Sequence, residues 1–167
     1  MIRTIFDFEH MWSGELERTQ KVFKHLTNDA LTRVVHPDVR TLGRLARHIV
    51  TTIPEMASKM GLRTAGPQEH DPIPQTAKAI FIAYNDAAIS LLDEIKKGWT
   101  DDTLSLVDAM YGQQWKRGAS LHSMLLHQAH HRGEMIVLMR MCGLAVPGVY
   151  GPTRDEWAQW GMQPPAV

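Results

Sequence analysis

The chain has 167 residues, a size that a single domain with one core accommodates. Lysine plus arginine equals aspartate plus glutamate at 18 each and no basic block stands out, which argues against a nucleic-acid surface built on phosphate contacts. One cysteine excludes an intrachain disulfide, no apolar run reaches the roughly 18 residues of a membrane helix, and the opening MIRTIFDFEHMW lacks a secretion signal, so a reducing cytoplasm is the expected setting.

Ile5, Phe8, Trp12, Leu16, Thr19, Phe23 and Leu26 recur at steps of three and four. They predict an amphipathic helix over about residues 3–27. Thr27 to Arg40, with Pro37 and Asp38, reads as a connection. Thr41 is the expected N-cap of a second helix, whose core face is Leu42, Leu45, Ala46, Ile49, Ile53, Met56 and Met60 and whose terminator is Gly61. Pro54 inside it predicts a kink or a freed carbonyl. GLRTAGPQEHDPIP, Gly61 to Pro74, is a loop long enough for a crossover rather than a tight hairpin.

A third helix is predicted from Thr76 to Lys97, with Gly98 past its end. Ile82 and Ile89 fall opposite its main apolar stripe and form a candidate subunit contact. Trp99 to Arg117 reads as irregular or partly extended, with an alternation around Leu104 and Leu106 that would suit a short strand. The fourth helix runs from Arg117 to Cys142 and ends at Gly143. Thr153-x-x-Glu156 is a capping box that opens a short terminal helix, on which Trp157 and Trp160 are expected to pack as a lid or brace. The fold class is therefore all-α: a four-helix bundle over residues 1–167, with a long crossover between its second and third helices and a short C-terminal helix.

The fourth helix carries the chemistry. His127 and His131 are one turn apart, about 40° around the axis, and two such imidazoles reach one metal ion. The glutamate of the zinc-protease motif is absent, because Gln128 follows the first histidine. Both histidines fall in the stripe of Met124, Met135, Leu138 and Cys142. An unpaired buried polar group costs roughly 1–3 kcal/mol, so they require hydrogen-bond partners or a metal. As a lone pair they fit satisfied core histidines equally. His48, at the margin of the second helix's core face, supplies a third donor if that helix lies beside the fourth. Three histidines would leave positions open for water or substrate. A ferritin-like di-iron site is excluded, since no Glu-x-x-His occurs. Cys142 lies about 16 Å along the axis from His131, too far to ligate with it. Arg132 is expected to project outward and pair on the surface.

LARHIV with His48, the H-x3-H-R-G-E element from His127 to Glu134, Gly143 and VPGVYGPT together resemble the DinB/YfiT-like family of metal-dependent proteins. The likeness spans essentially the whole chain. It implies a four-helix bundle, often dimeric, with one divalent transition metal on His48, His127 and His131. Imidazole donors suit zinc, nickel, copper and iron alike, and zinc or nickel is expected first, then iron or manganese. Many members have glutamine where this chain has Glu134. Glu134, Glu55 and His130 are the candidate proton-moving or ligand-orienting groups. Some members transfer low-molecular-weight thiols to electrophiles. The expected function is thus metal-dependent thiol transfer to a small electrophile, with metal-assisted hydrolysis as another enzymatic option. A non-catalytic metal-binding, stress-response or interaction protein is the alternative. The expected partners are a small molecule and a second copy of the chain, with no nucleic acid and no membrane. A cleft beside the histidines would favour catalysis, and a fourth protein ligand without a cleft would favour the structural role.

Overall fold

Thr4, Thr27, Thr41 and Thr76 each stand one residue before a helix, and each hydroxyl accepts from the backbone N–H three residues on. Each cap satisfies a donor that the first helical turn leaves free, a contribution of about 1 kcal/mol. The helices they open are α1 (Ile5–Lys24), α2 (Asn28–Leu31), α3 (Leu42–Lys59) and α4 (Ala77–Gly98). A 3-10 helix (Asp101–Ser105), a hairpin of β1 (Val107–Met110) and β2 (Gln113–Lys116), and α5 (Arg117–Met141) follow, and a second 3-10 helix (Arg154–Trp160) ends the ordered elements. The computed structural model describes residues 2–68, 71–72 and 74–166; Met1, Glu69, His70, Ile73 and Val167, three of them in the predicted crossover loop, lie outside.

The four long helices close a ring in which α1 touches α4 and α5, and α3 touches the same two. The first and second predicted helices are therefore diagonal, and the second lies beside the fourth. Trp12, fully buried, ties α1 to α4 by donating from Nε1 to the carbonyl of Ala88 at 2.9 Å. Removing an aromatic or aliphatic side chain of this kind from water stabilises the fold by roughly 1.5–3 kcal/mol. The fold is all-α, with the hairpin as its one departure among the described residues. No helix there is long and apolar enough to cross a membrane.

Several expectations change in detail. The connection after α1 contains the short helix α2, and Gly43 of α3 packs so closely on it that an added Cβ would stand 2.7 Å from the Leu31 carbonyl oxygen. α3 runs unbroken through Pro54. The strand falls at Val107–Met110, later than the Leu104–Leu106 alternation; Leu104 lies in the 3-10 helix and Leu106 caps it. The hairpin turns on Tyr111 and Gly112, with φ of 51° and 79°. Such a pair matches the right-handed twist of the strands, although Tyr is a strained choice for its first position. Gly143, φ 74°, ends α5, and the Leu144 N–H returns to the Met139 carbonyl at 2.9 Å. Trp160 is 67% exposed and does not pack down, whereas Trp157 is half-buried. Glu156 holds that segment, accepting from the N–H groups of Gly148 and Thr153 at 2.9 Å each.

The largest correction is Arg132, which is 1% exposed. Its guanidinium pairs with Glu15 of α1 and donates to Thr19 Oγ1 at 2.9 Å and to the Tyr150 hydroxyl at 2.8 Å. Tyr150 in turn donates to Glu15 Oε1 at 2.6 Å. Gln128 accepts nearby from Thr19 and Tyr84. α5 thus buries two stripes. One, through Met124, His131 and Leu138, belongs to the side of the histidines; the other, through Leu121, Leu125, Gln128 and Arg132, faces the polar network of α1.

Candidate metal centre

The ring order brings His48 of α3 against His127 and His131 of α5. His127 Nε2 stands 3.0 Å from His48 Nε2 and 3.1 Å from His131 Nε2. The rings meet edge to face, with centroids 4.4–4.8 Å apart. The Thr52 hydroxyl donates to the His48 carbonyl at 2.7 Å, which fixes the backbone below that ring. His131 is buried, while His48 and His127 are half-buried.

The donor set fits a divalent ion by its chemistry. His131 Nδ1 lies 2.6 Å from Glu134 Oε2, so the proton sits on Nδ1 and the Nε2 lone pair faces the other rings. A carboxylate behind a histidine in this way fixes the tautomer and raises the basicity of a metal ligand. His127 Nδ1 is buried and has no partner among the described residues. Three imidazole nitrogens facing one another repel unless protons or a cation lie between them. Ligand nitrogens about 2.0–2.1 Å from an ion stand about 2.8–3.0 Å apart in octahedral geometry and about 3.3–3.4 Å apart in tetrahedral geometry. The observed separations of 3.0 and 3.1 Å lie between the two. His48, His127 and His131 each offer one nitrogen within 4.8 Å of the others.

The electrostatics favour neutral rings at His127 and His48. Burial, then the neighbouring imidazoles, pushes His127 down to about 4. Burial, then His131 and the charges of Arg40 and Arg44, holds His48 below the ordinary imidazole range. Burial alone would raise Glu134. The hydrogen bond from His131 and the charges of His131, His130 and Arg40 outweigh it and keep Glu134 below the usual carboxylate range.

The remaining candidates divide between two sides. Glu134 joins the site through His131, and His130, exposed at the rim, brings Nε2 within 3.5 Å of Glu134 Oε1. His130, His131 and Glu134 form a second close group. Glu55 lies on the other side, where Oε2 accepts from the Tyr111 hydroxyl at 3.0 Å and Oε1 is 3.7 Å from Lys59 Nζ. A cleft of about 270 Å³ separates that pair from the rings, lined by His48, Thr52, Glu55, Tyr111, Ser123 and His127 among others. A second cleft of about 340 Å³ opens on His48 from Arg40, Arg44, Arg47 and Thr51. Tyr111 escaped the sequence reading because the hairpin that delivers it did; Tyr-Gly between two four-residue runs carries little turn signal. His122 is remote, lining a cavity between α1 and α5.

The sequence model of the DinB family matches residues 1–162. YrdA of Bacillus subtilis strain 168 is 39% identical over the full length of both chains. A DinB-like protein from Bacillus cereus ATCC 10987, also 39% identical, superposes with a TM-score of 0.84 over 90% of this chain and 100% of its own. The DinB-like YjoA of B. subtilis shares the fold at 14% identity and a TM-score of 0.68, over 87% of this chain and 98% of its own. With a family match across nearly its whole length and a full-length relative at that identity, the chain belongs to the DinB family.

Proposed function

We propose that His48, His127 and His131 hold one divalent transition metal, zinc or nickel ahead of iron or manganese, and that the protein is a metal-dependent enzyme transferring a low-molecular-weight thiol to a small electrophile. The observation that carries this reading is the convergence of three imidazoles, with His127 Nε2 3.0 Å from His48 Nε2 and 3.1 Å from His131 Nε2, beside open clefts of about 270 and 340 Å³. A structural site closes its coordination with protein, whereas a catalytic one keeps room for a substrate. Among the described residues, Glu134 is the carboxylate grouped with the triad, and it is bonded to His131 Nδ1 rather than to the Nε2 that faces His127.

A divalent ion here would supply Lewis acidity, lowering the pKa of a thiol or water. The protein's own groups do the rest. Glu134 keeps the proton of His131 on Nδ1 and the lone pair inward. The Tyr111–Glu55 pair sits across the cleft as a proton relay to the substrate. Burial, then the Glu55 charge, raises the Tyr111 phenol, which stays protonated and able to donate. His130 and Glu134 form a solvent-side path for proton exchange.

We further expect a homodimer in the cytoplasm, with α4 as the contact, because Ile82 and Ile89 on its outer face are 47% and 51% exposed. Light scattering that gives a monomer at micromolar concentration would reject the dimer. The central test is metal analysis of the purified protein and of His48→Ala and His131→Ala. One divalent ion per chain in the parent and its loss in both variants is the expected result; full occupancy in both variants overturns the ligand set. Fully metallated protein that transfers none of several thiols to a panel of electrophiles would leave metal binding without this activity.

A further inference from the structure

We infer that Arg40, Arg44 and Arg47 form an anion-recognition subsite beside the histidine triad, taking the carboxylate or phosphate group of a small polyanionic ligand. The inference takes its location from the proposed metal site but rests on separate residues. Arg44, Arg47 and Thr51 recur at three- and four-residue steps along α3, and Arg40 precedes its N-cap by one residue. All four line one cleft of about 340 Å³, together with His48. The bottom of a site proposed to do chemistry is thus continuous with a wall of guanidinium groups.

Among the described residues no ion pair neutralises that wall. Arg18, Arg117, Arg132 and Arg140 each meet a carboxylate. Among the described residues Arg40, Arg44 and Arg47 meet none, although the chain as a whole has zero formal charge. Arg47 Nε donates to its own helix at Gly43 O, 3.1 Å away, which holds the side chain along α3. Glu134 feels the charge of Arg40 but is already bonded to His131.

The position is also electrostatically adverse. The first turn of a helix carries partial positive charge from its free N–H groups, so Arg44, in that turn of α3, is opposed by the helix, and the neighbouring arginines oppose one another. The first turn of α3 has no acidic residue to offset them. Both oppositions reverse when an anion enters, because the helix terminus and the arginines then act on it in the same direction. Guanidinium forks match carboxylate and phosphate oxygens two at a time, which suits a small oxyanion better than a diffuse acidic surface. A ligand with such a group in this cleft would extend its other end toward His48.

Isothermal titration of the full-length protein as purified, at low salt, with succinate and with inorganic phosphate tests this. Succinamide and sodium chloride serve as neutral and simple-ion controls. Saturable binding of either oxyanion is expected, with Arg44→Gln and Arg47→Gln each weakening it about tenfold or more, the loss of a charge-assisted hydrogen bond. Both residues lie on the outer side of α3, and Arg44→Gln should melt no lower than the parent because it removes a cation from the positive helix end. His131→Ala should retain the oxyanion affinity. No saturable binding, equal affinity for succinamide, unchanged affinity in both arginine variants, or loss in His131→Ala alone would each overturn the subsite. Failure of metal binding or thiol transfer with the arginine effects intact would reject the proposed function and leave the subsite standing.

Discussion

Replacing Arg132 by methionine removes the one fully buried guanidinium of the core while leaving Glu15, whose side chain is 11% exposed. Glu15 would keep the Tyr150 hydroxyl at 2.6 Å and Arg18 at 3.2 Å. Leaving one member of a buried pair typically costs 3–5 kcal/mol. Arg18, 32% exposed and screened by water, offsets part of that charge, so about 3 kcal/mol is expected. For a domain of this size each kcal/mol lowers the melting temperature by about 2–4 °C, giving a drop of about 6–12 °C. Arg132→Met with Glu15→Gln removes both charges, and its cost should be smaller than that of Arg132→Met alone despite the extra substitution. Urea melts of the parent, both single variants and the double variant, at constant denaturant slope, measure the coupling. A loss below about 1 kcal/mol for Arg132→Met, or strictly additive losses, would show that the pair is not the lock described.

Glu134→Gln should weaken divalent metal binding about 10–100-fold with the fold intact, as loss of a carboxylate behind a ligating histidine does; a competition titration with a metal chelator measures it. The metal-free protein should lose stability as pH falls. His127 has a folded value of about 4 below its ordinary 6.5, so its contribution is complete above 6.5 and disappears down through about 4. Urea midpoints at pH 7.5, 5.5 and 4.5 test the slope, and His127→Ala should flatten it. Gly43→Ala should destabilise by about 1–3 kcal/mol, because its Cβ would stand 2.7 Å from a backbone oxygen of α2 that no rotamer change relieves; thermal melting reads this.

The helices were legible because each buries a stripe repeating at three and four residues, and threonine caps mark the starts of α3 and α4. His127 and His131 were legible as a pair by spacing alone. His48 was legible only as a conditional third donor, since its approach depends on α3 standing beside α5 in the ring, which periodicity on a single helix does not reveal; the family resemblance supplied that condition. Arg132 was misplaced because the projection followed one stripe of α5, and this helix buries two. A charged residue on the second stripe is indistinguishable from a surface residue until its partner Glu15, 117 positions earlier, comes into view. The hairpin and Tyr111 were missed because four-residue strands with exposed, polar faces carry almost no alternation.

Those two stripes explain how the candidate site is held. His131 and Arg132 are adjacent in sequence and about 100° apart around α5, so one helix presents a ring to α3 and a guanidinium to α1. A metal-ligand set works only when its side chains are fixed to within a fraction of an ångström, and rotation of α5 about its axis would carry His127 and His131 away from His48 on α3. The Glu15–Arg132–Tyr150 cluster opposes that rotation with directional hydrogen bonds, buried at Glu15 and part-buried at Tyr150, which apolar packing alone does not provide. It also binds the C-terminal segment, through Tyr150, to α1 and α5. Arg132→Met should therefore lower metal affinity as well as stability, although Arg132 contacts none of the three histidines. Metal affinity equal to the parent's in a folded Arg132→Met protein would separate the lock from the site.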